Sequence, residues 1–197
     1  MIRKYIAGAI ALVAIVVFAW TLVHALYYAP ESEQTDVDLG ANVVLLSTSS
    51  QPVRLQIPSL HIDALVQHVG ITKTGNMGIP SNFTDVAWYK YGPTPGQLGS
   101  AVIDGHVDNG LGLPGVFKKL GDLLPGDDVY VISQDGQRLH FVVKDLQSYI
   151  YNQAPNEFIF NRKDRARLNL ITCEGTWLKA GRTYDRRLVV YTELVSS

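Results

Sequence analysis

Residues 6–23 carry no charged side chain, and the apolar run continues with little interruption from residue 5 to residue 28. A helix of about 20 residues crosses the roughly 30 Å hydrocarbon layer of a bilayer, whereas the apolar part of a cleaved secretory signal is typically only about 7 to 15 residues. The length predicts a membrane anchor over residues 5–28, with a cleaved signal as the second reading. Arg3 and Lys4 precede the run, while Glu31, Glu33, Asp36 and Asp38 follow it. The positive-inside rule counts the basic flank, so residues 1–4 are expected in the cytoplasm and everything after about Ala29 outside. Trp20, Tyr27 and Tyr28 suit the outer interface, where a ring stays in apolar surroundings and its polar tip stays wet.

Residues 29–52 are acidic and rich in Ser, Thr and Gln, with one apolar cluster at 43–46, which reads as an extracytoplasmic linker. With 17 Lys+Arg against 18 Asp+Glu, the chain has no overall basic field. General nucleic-acid binding by phosphate neutralisation is therefore not expected. The single cysteine excludes an intrachain disulfide and a multi-cysteine zinc site.

Residues 53–197 read as one domain. Short apolar segments alternate there with Gly, Pro, Asn and Asp, and few keep a helical period over three turns. Eight strands are expected, at 53–57, 64–69, 86–89, 100–105, 128–133, 139–150, 167–173 and 187–194. Eight at this spacing favour a mainly β, closed or nearly closed barrel. A hairpin is expected at Asp135-Gly136, and single helical turns within 111–124 and 156–165.

Cys173 ends the apolar run Leu168-Asn169-Leu170-Ile171-Thr172, which puts it at a strand end, rigidly held and close to solvent. A thiolate is a good nucleophile toward carbonyl carbon, but a thiol with a pKa near about 8.5 needs a base or a cation beside it. The alternative is a small buried hydrophobe; an unpaired thiol in an oxidising compartment weighs against that. His106 follows Ala101-Val102-Ile103-Asp104-Gly105 and shares the strand-end setting, unlike His24, His61, His68 and His140. His106 with Asp108 is at most half a metal site, and no metal or cofactor is expected. Arg186 and Arg187 open the last expected strand, where alternation lets only one face a given site; Arg182 is a third candidate.

Taken in order, Ile103-Asp104-Gly105-His106-Val107-Asp108, Gly115-Val116-Phe117, Leu170-Ile171-Thr172-Cys173 and Arg187-Leu188-Val189-Val190 resemble the sortases. Ile57-Pro58 and Trp88-Tyr89-Lys90-Tyr91-Gly92-Pro93 extend the likeness over nearly all of 53–195. The resemblance implies an eight-stranded barrel and a cysteine transpeptidase of the thiol-protease type on the outer face of a Gram-positive membrane. Its substrates would be secreted proteins with a Leu-Pro-x-Thr-Gly-like sorting signal, cleaved between Thr and Gly. A cell-wall precursor, peptidoglycan or pilin amine would accept the product. Cys173 would form the thioacyl enzyme, His106 would act as acid and base, and Arg187 would hold substrate and oxyanion. Thr172, the Glu174 amide, Trp177 and Tyr184 are the substrate-binding candidates, together with the loop at 155–165. The sequence around Cys173-Glu174-Gly175-Thr176-Trp177 points to a class D, E or F member rather than class A or the pilin-building class C.

Two other enzyme types fit less well. An L,D-transpeptidase needs a Ser-His-Gly-Cys cluster, and a papain-like protease places its cysteine before its histidine. A catalytically silent, membrane-tethered binding module on the same fold is the reading from a different class.

Overall fold

The computed structural model describes residues 2–27, 34–35, 50–109 and 111–195. Most of the linker expectation over 29–52, Tyr28 and the side chain of Tyr27 lie outside the described residues. Helix α1 spans Ile2–Tyr27, and its stretch Tyr5–Leu26 has no buried residue, is apolar and is long enough to cross a bilayer. Strand β1 (Gln34–Thr35) pairs antiparallel with β4 (Ile71–Thr72).

Eight strands close into a barrel: β2 (Pro52–Ile57), β3 (Ile62–Val69), β5 (Val86–Tyr89), β6 (Gly99–Gly105), β7 (Asp128–Ser133), β8 (Arg138–Ile150), β9 (Ala166–Leu178) and β10 (Thr183–Leu194). Their spatial order is β10-β8-β7-β2-β3-β5-β6-β9, and β9 pairs with β10 to close the ring. The pairs β3·β5 and β6·β9 are parallel and the others antiparallel. Closure leaves no barrel strand with an open edge. The expected hairpin at Asp135-Gly136 joins β7 to β8, with Gly136 at φ +84° as a tight turn requires.

Side-chain alternation fills the interior with Leu55, Ile57, Trp88, Ile103, Val131, Phe141, Leu168, Leu170, Leu188 and Val190, all nearly fully buried. Phe117, Leu120 and Leu123, from the connection between β6 and β7, close one mouth of the barrel. The one helical turn expected within 111–124 is a 3₁₀ turn at Leu120–Asp122. The other is α2, Asn156–Phe160, whose Ile159 packs on the outer face of the barrel against Val102, Val189 and Tyr191.

Two boundaries differ from the sequence reading by four residues or more. β9 runs on to Leu178 and β10 begins at Thr183, so Trp177 and Tyr184 are paired strand residues rather than loop residues. Polar residues and Gly175 hide this extension, because it projects beyond the core and has no buried face to mark it. The directions of the strands also place Pro52, where the chain enters the barrel, at the end opposite Gly105 and Cys173.

Candidate active site

Leu168, Leu170 and Thr172 point into the barrel, so alternation turns Cys173 outward, where it is half-buried. Leu188 and Val190 point inward on β10, so Arg187 also faces out, and the ladder sets it directly across from Cys173. On the other side of β9 the parallel register pairs Asp104 with Ile171. Continued two residues past the end of the ladder, that register would set His106 level with Cys173. Thr172 Oγ1 donates to the Gly105 carbonyl at 2.8 Å, bolting the end of β6 to β9 one residue before each of the two. Thr172 is buried and faces the interior, away from the outer face that Cys173 occupies.

His106 lies just past the strand, and the surrounding loops hold it. Its Nε2–H donates to the Pro80 carbonyl at 2.9 Å, and its ring lies against Phe83 with centroids 5.0 Å apart. Its own carbonyl accepts from Phe117 N at 2.9 Å. With the proton on Nε2, the lone pair is on Nδ1. Burial lowers the imidazole pKa, while the Pro80 bond and the nearby Asp108 oppose that fall. Gly115 is required by this packing, since a Cβ there would run into the backbone carbonyl of His106.

The Arg187 guanidinium is fixed by its own hairpin. Nη1 donates to the carbonyls of Tyr184 at 3.1 Å and Arg186 at 2.9 Å, and Nη2 to Thr183 Oγ1 at 2.7 Å. The neighbouring arginines are placed elsewhere. Arg186 faces the opposite side of β10 and binds Ser148 through both Oγ and the carbonyl, beside Glu174 at 3.9 Å. Arg182 sits in the exposed turn with φ +46°. The Glu174 carboxylate is engaged with Ser148 and Arg186, which leaves its backbone amide as the group near the thiol. Trp177 is half exposed on the projecting hairpin, with its ring edge-on to Tyr184.

Burial pushes the Cys173 thiol up to about 11; Arg187 pulls it down, and Asp104 and Asp108 add to the rise. Asp104 is pushed up to about 7 by burial, against the pull of Arg187 and the hydrogen bond from Gly105 N–H. The resting site therefore holds a neutral thiol and an imidazole bonded to a carbonyl, with no hydrogen bond between the two among the described residues. Asp104, Asp108, Pro80, Phe83 and Thr183 all touch or shape this site. Sequence reading passed over Pro80, Phe83 and Thr183 and gave Asp104 and Asp108 no part in the chemistry; only the adjacency of the two acids to His106 could have signalled them. Among the described residues no three His, Cys, Asp or Glu side chains converge as a metal site.

Comparison with known proteins identifies the family of the domain that carries this constellation. Residues 55–195 match the family model described as the Sortase domain. The chain belongs to the sortase family, a class of transpeptidases. It is similar to sortase C-1 from Actinomyces oris, at 26% identity over 75% of this chain and 76% of that one, with a TM-score of 0.55. The fold also matches a lid mutant of sortase A from Corynebacterium diphtheriae at 20% identity and TM-score 0.56, covering 75% of this chain and 72% of that one. A sortase D5 transpeptidase from Clostridium perfringens matches at 15% identity and TM-score 0.55, covering 74% of this chain and 79% of that one. No curated protein sequence matches the chain significantly.

Proposed function

We propose that this sortase is a membrane-anchored cysteine transpeptidase that joins secreted proteins bearing a Leu-Pro-x-Thr-Gly-like signal to a cell-wall amine. The observation that carries the reading is the placement of Cys173 opposite Arg187 on the outer barrel face, with His106 brought alongside by the β6·β9 register.

In the first step Cys173 Sγ attacks the Thr carbonyl carbon. The thiol proton passes to His106, the carbon–sulfur bond forms, the carbon–nitrogen bond to Gly breaks, and His106 delivers that proton to the departing amine. Arg187 and the Glu174 amide are the donors proposed for the oxyanion. In the second step an incoming amine gives its proton to His106 and attacks the thioester, restoring the thiol. With the thiol near 11, only about one molecule in 10⁴ holds a thiolate at pH 7. Trp177 on the hairpin and the segment 155–165, which contains α2, are proposed to grip the signal.

The domain division follows the same reading: residues 1–4 cytoplasmic, 5–28 in the membrane, 29–52 a linker and 53–197 catalytic. The exposed apolar helix α1 supports the anchor. A class D, E or F assignment remains the proposed subclass. The test is incubation with a library of Leu-Pro-x-Thr-Gly variants plus glycine- or diaminopimelate-type amines, followed by mass spectrometry, with Cys173→Ala alongside. Ligated product that disappears in the variant is the expected result; product that persists rules out the thioacyl route.

A further inference from the structure

Tyr184 is tied to three parts of the site at once. Its hydroxyl donates to Asp108 Oδ2 at 2.6 Å, its carbonyl accepts from Arg187 Nη1 at 3.1 Å, and its ring meets Trp177 with centroids 5.3 Å apart. Asp108 lies two residues past His106, with its side chain only 15% exposed and Lys118 Nζ at 3.7 Å. The backbone there is steadied by a bridge between Asp108 and Pro114.

The topology makes this bond consequential. β6 and β10 are not neighbours, because β9 lies between them. His106 follows the last residue of β6, beyond its ladder, and Arg187 lies just past a register shift between Tyr184 and Arg186. His106 has no ladder partner, and Arg187, though paired with Cys173, stands close to that irregularity. Among the described residues, the Tyr184–Asp108 bond is the one hydrogen bond joining the 106–118 segment to the projecting hairpin of β9 and β10.

We propose that Asp108 and Tyr184 are positioning residues for the transpeptidation, their bond setting where His106 and Arg187 stand relative to each other across Cys173. The proposal rests on the reaction assigned above. A phenol donating to a carboxylate at this distance is a charge-assisted bond, stiffer than a neutral one. It spans a site where a displacement of about 1 Å costs on the order of 10²-fold in rate. Asp108 also favours the protonated form of His106, the form that serves the leaving amine. The other charged and titratable groups around the site are Cys173 on β9, Arg187 and Tyr184 on β10, Asp104 on β6, and Lys118.

The test compares detergent-solubilised full-length wild type with Tyr184→Phe, Asp108→Asn and the double variant. Steady-state transpeptidation is measured together with the NMR titration of His106 in histidine-labelled protein. Tyr184→Phe keeps the ring against Trp177 and removes only the bond; kcat is expected to fall about 10-fold with KM within about twofold. Asp108→Asn should lower kcat and move the His106 midpoint to lower pH, whereas Tyr184→Phe should leave the midpoint in place. The double variant should be no slower than the slower single one, because both break one link. Wild-type kcat in either single variant overturns the proposal, as do multiplying losses in the double or lowered melting temperatures with unchanged kcat and titration. Absence of Cys173-dependent turnover in the wild type would instead refute the assigned reaction. The titration then still decides whether Asp108 acts on His106, an unmoved midpoint in Asp108→Asn overturning the proposal.

Discussion

Asp104 stands on the face where the chemistry is placed, and its carboxyl is held near 7 by burial. The sign of its effect follows from proton linkage. Between 3.8 and about 7 the folded state binds a proton that the unfolded state has released, so folding stability falls as pH rises through that window. Asp104→Asn removes this cost. Thermal or urea unfolding should show the variant more stable than wild type above pH 7, by roughly 1 to 3 kcal/mol, with the difference gone below about pH 4. The same carboxylate raises the Cys173 pKa. Alkylation of the thiol at pH 8 should therefore be faster in the variant, by about threefold to tenfold; an unchanged or slower rate would show that Asp104 does not act on the sulfur. Cys173 and His106 were legible as candidates because each closes an apolar strand run. The placement of Arg187 needed the register, which alternation alone left open between two adjacent arginines.

At the level of elements, the β6–β7 connection and the β9–β10 hairpin build the two sides of the site. Gly115 lets the first of these pass close beneath His106. Gly115→Ala must push that backbone aside, and is expected to lower kcat/KM at least 10-fold while costing about 1 to 3 kcal/mol of stability. Activity at the wild-type level would show that His106 does not depend on this turn. A barrel-filling change acts differently. Leu170→Ala leaves a void in the interior and should cost about 2 to 5 kcal/mol in unfolding, with kcat per folded molecule much less affected. The eight barrel strands could be read from the apolar segments between turn residues. The projecting halves of β9 and β10 could not, because their residues bury no face. The Tyr184–Asp108 contact spans 76 positions, and no local pattern encodes it.

For the whole molecule, among the described residues the barrel and its loops build the site, and the exposed helix α1 supplies none of it. A fragment from residue 50 to 197 is therefore expected to ligate soluble peptides with a kcat/KM within about threefold of the solubilised full chain, a comparison that steady-state kinetics makes directly. A loss far beyond that would mean that residues before 50 take part in the chemistry. The chain enters the barrel at the end away from Cys173. The central claim is that Cys173 carries the acyl group. Its most direct test is to mix the full-length enzyme with a sorting-signal peptide in the absence of acceptor amine, quench in acid and map the peptides by mass spectrometry. The expected result is the acyl fragment ending at Thr attached to the peptide containing Cys173, released on adding amine. Cleaved peptide with unmodified Cys173 at every quench time, or an adduct on another side chain, would contradict it.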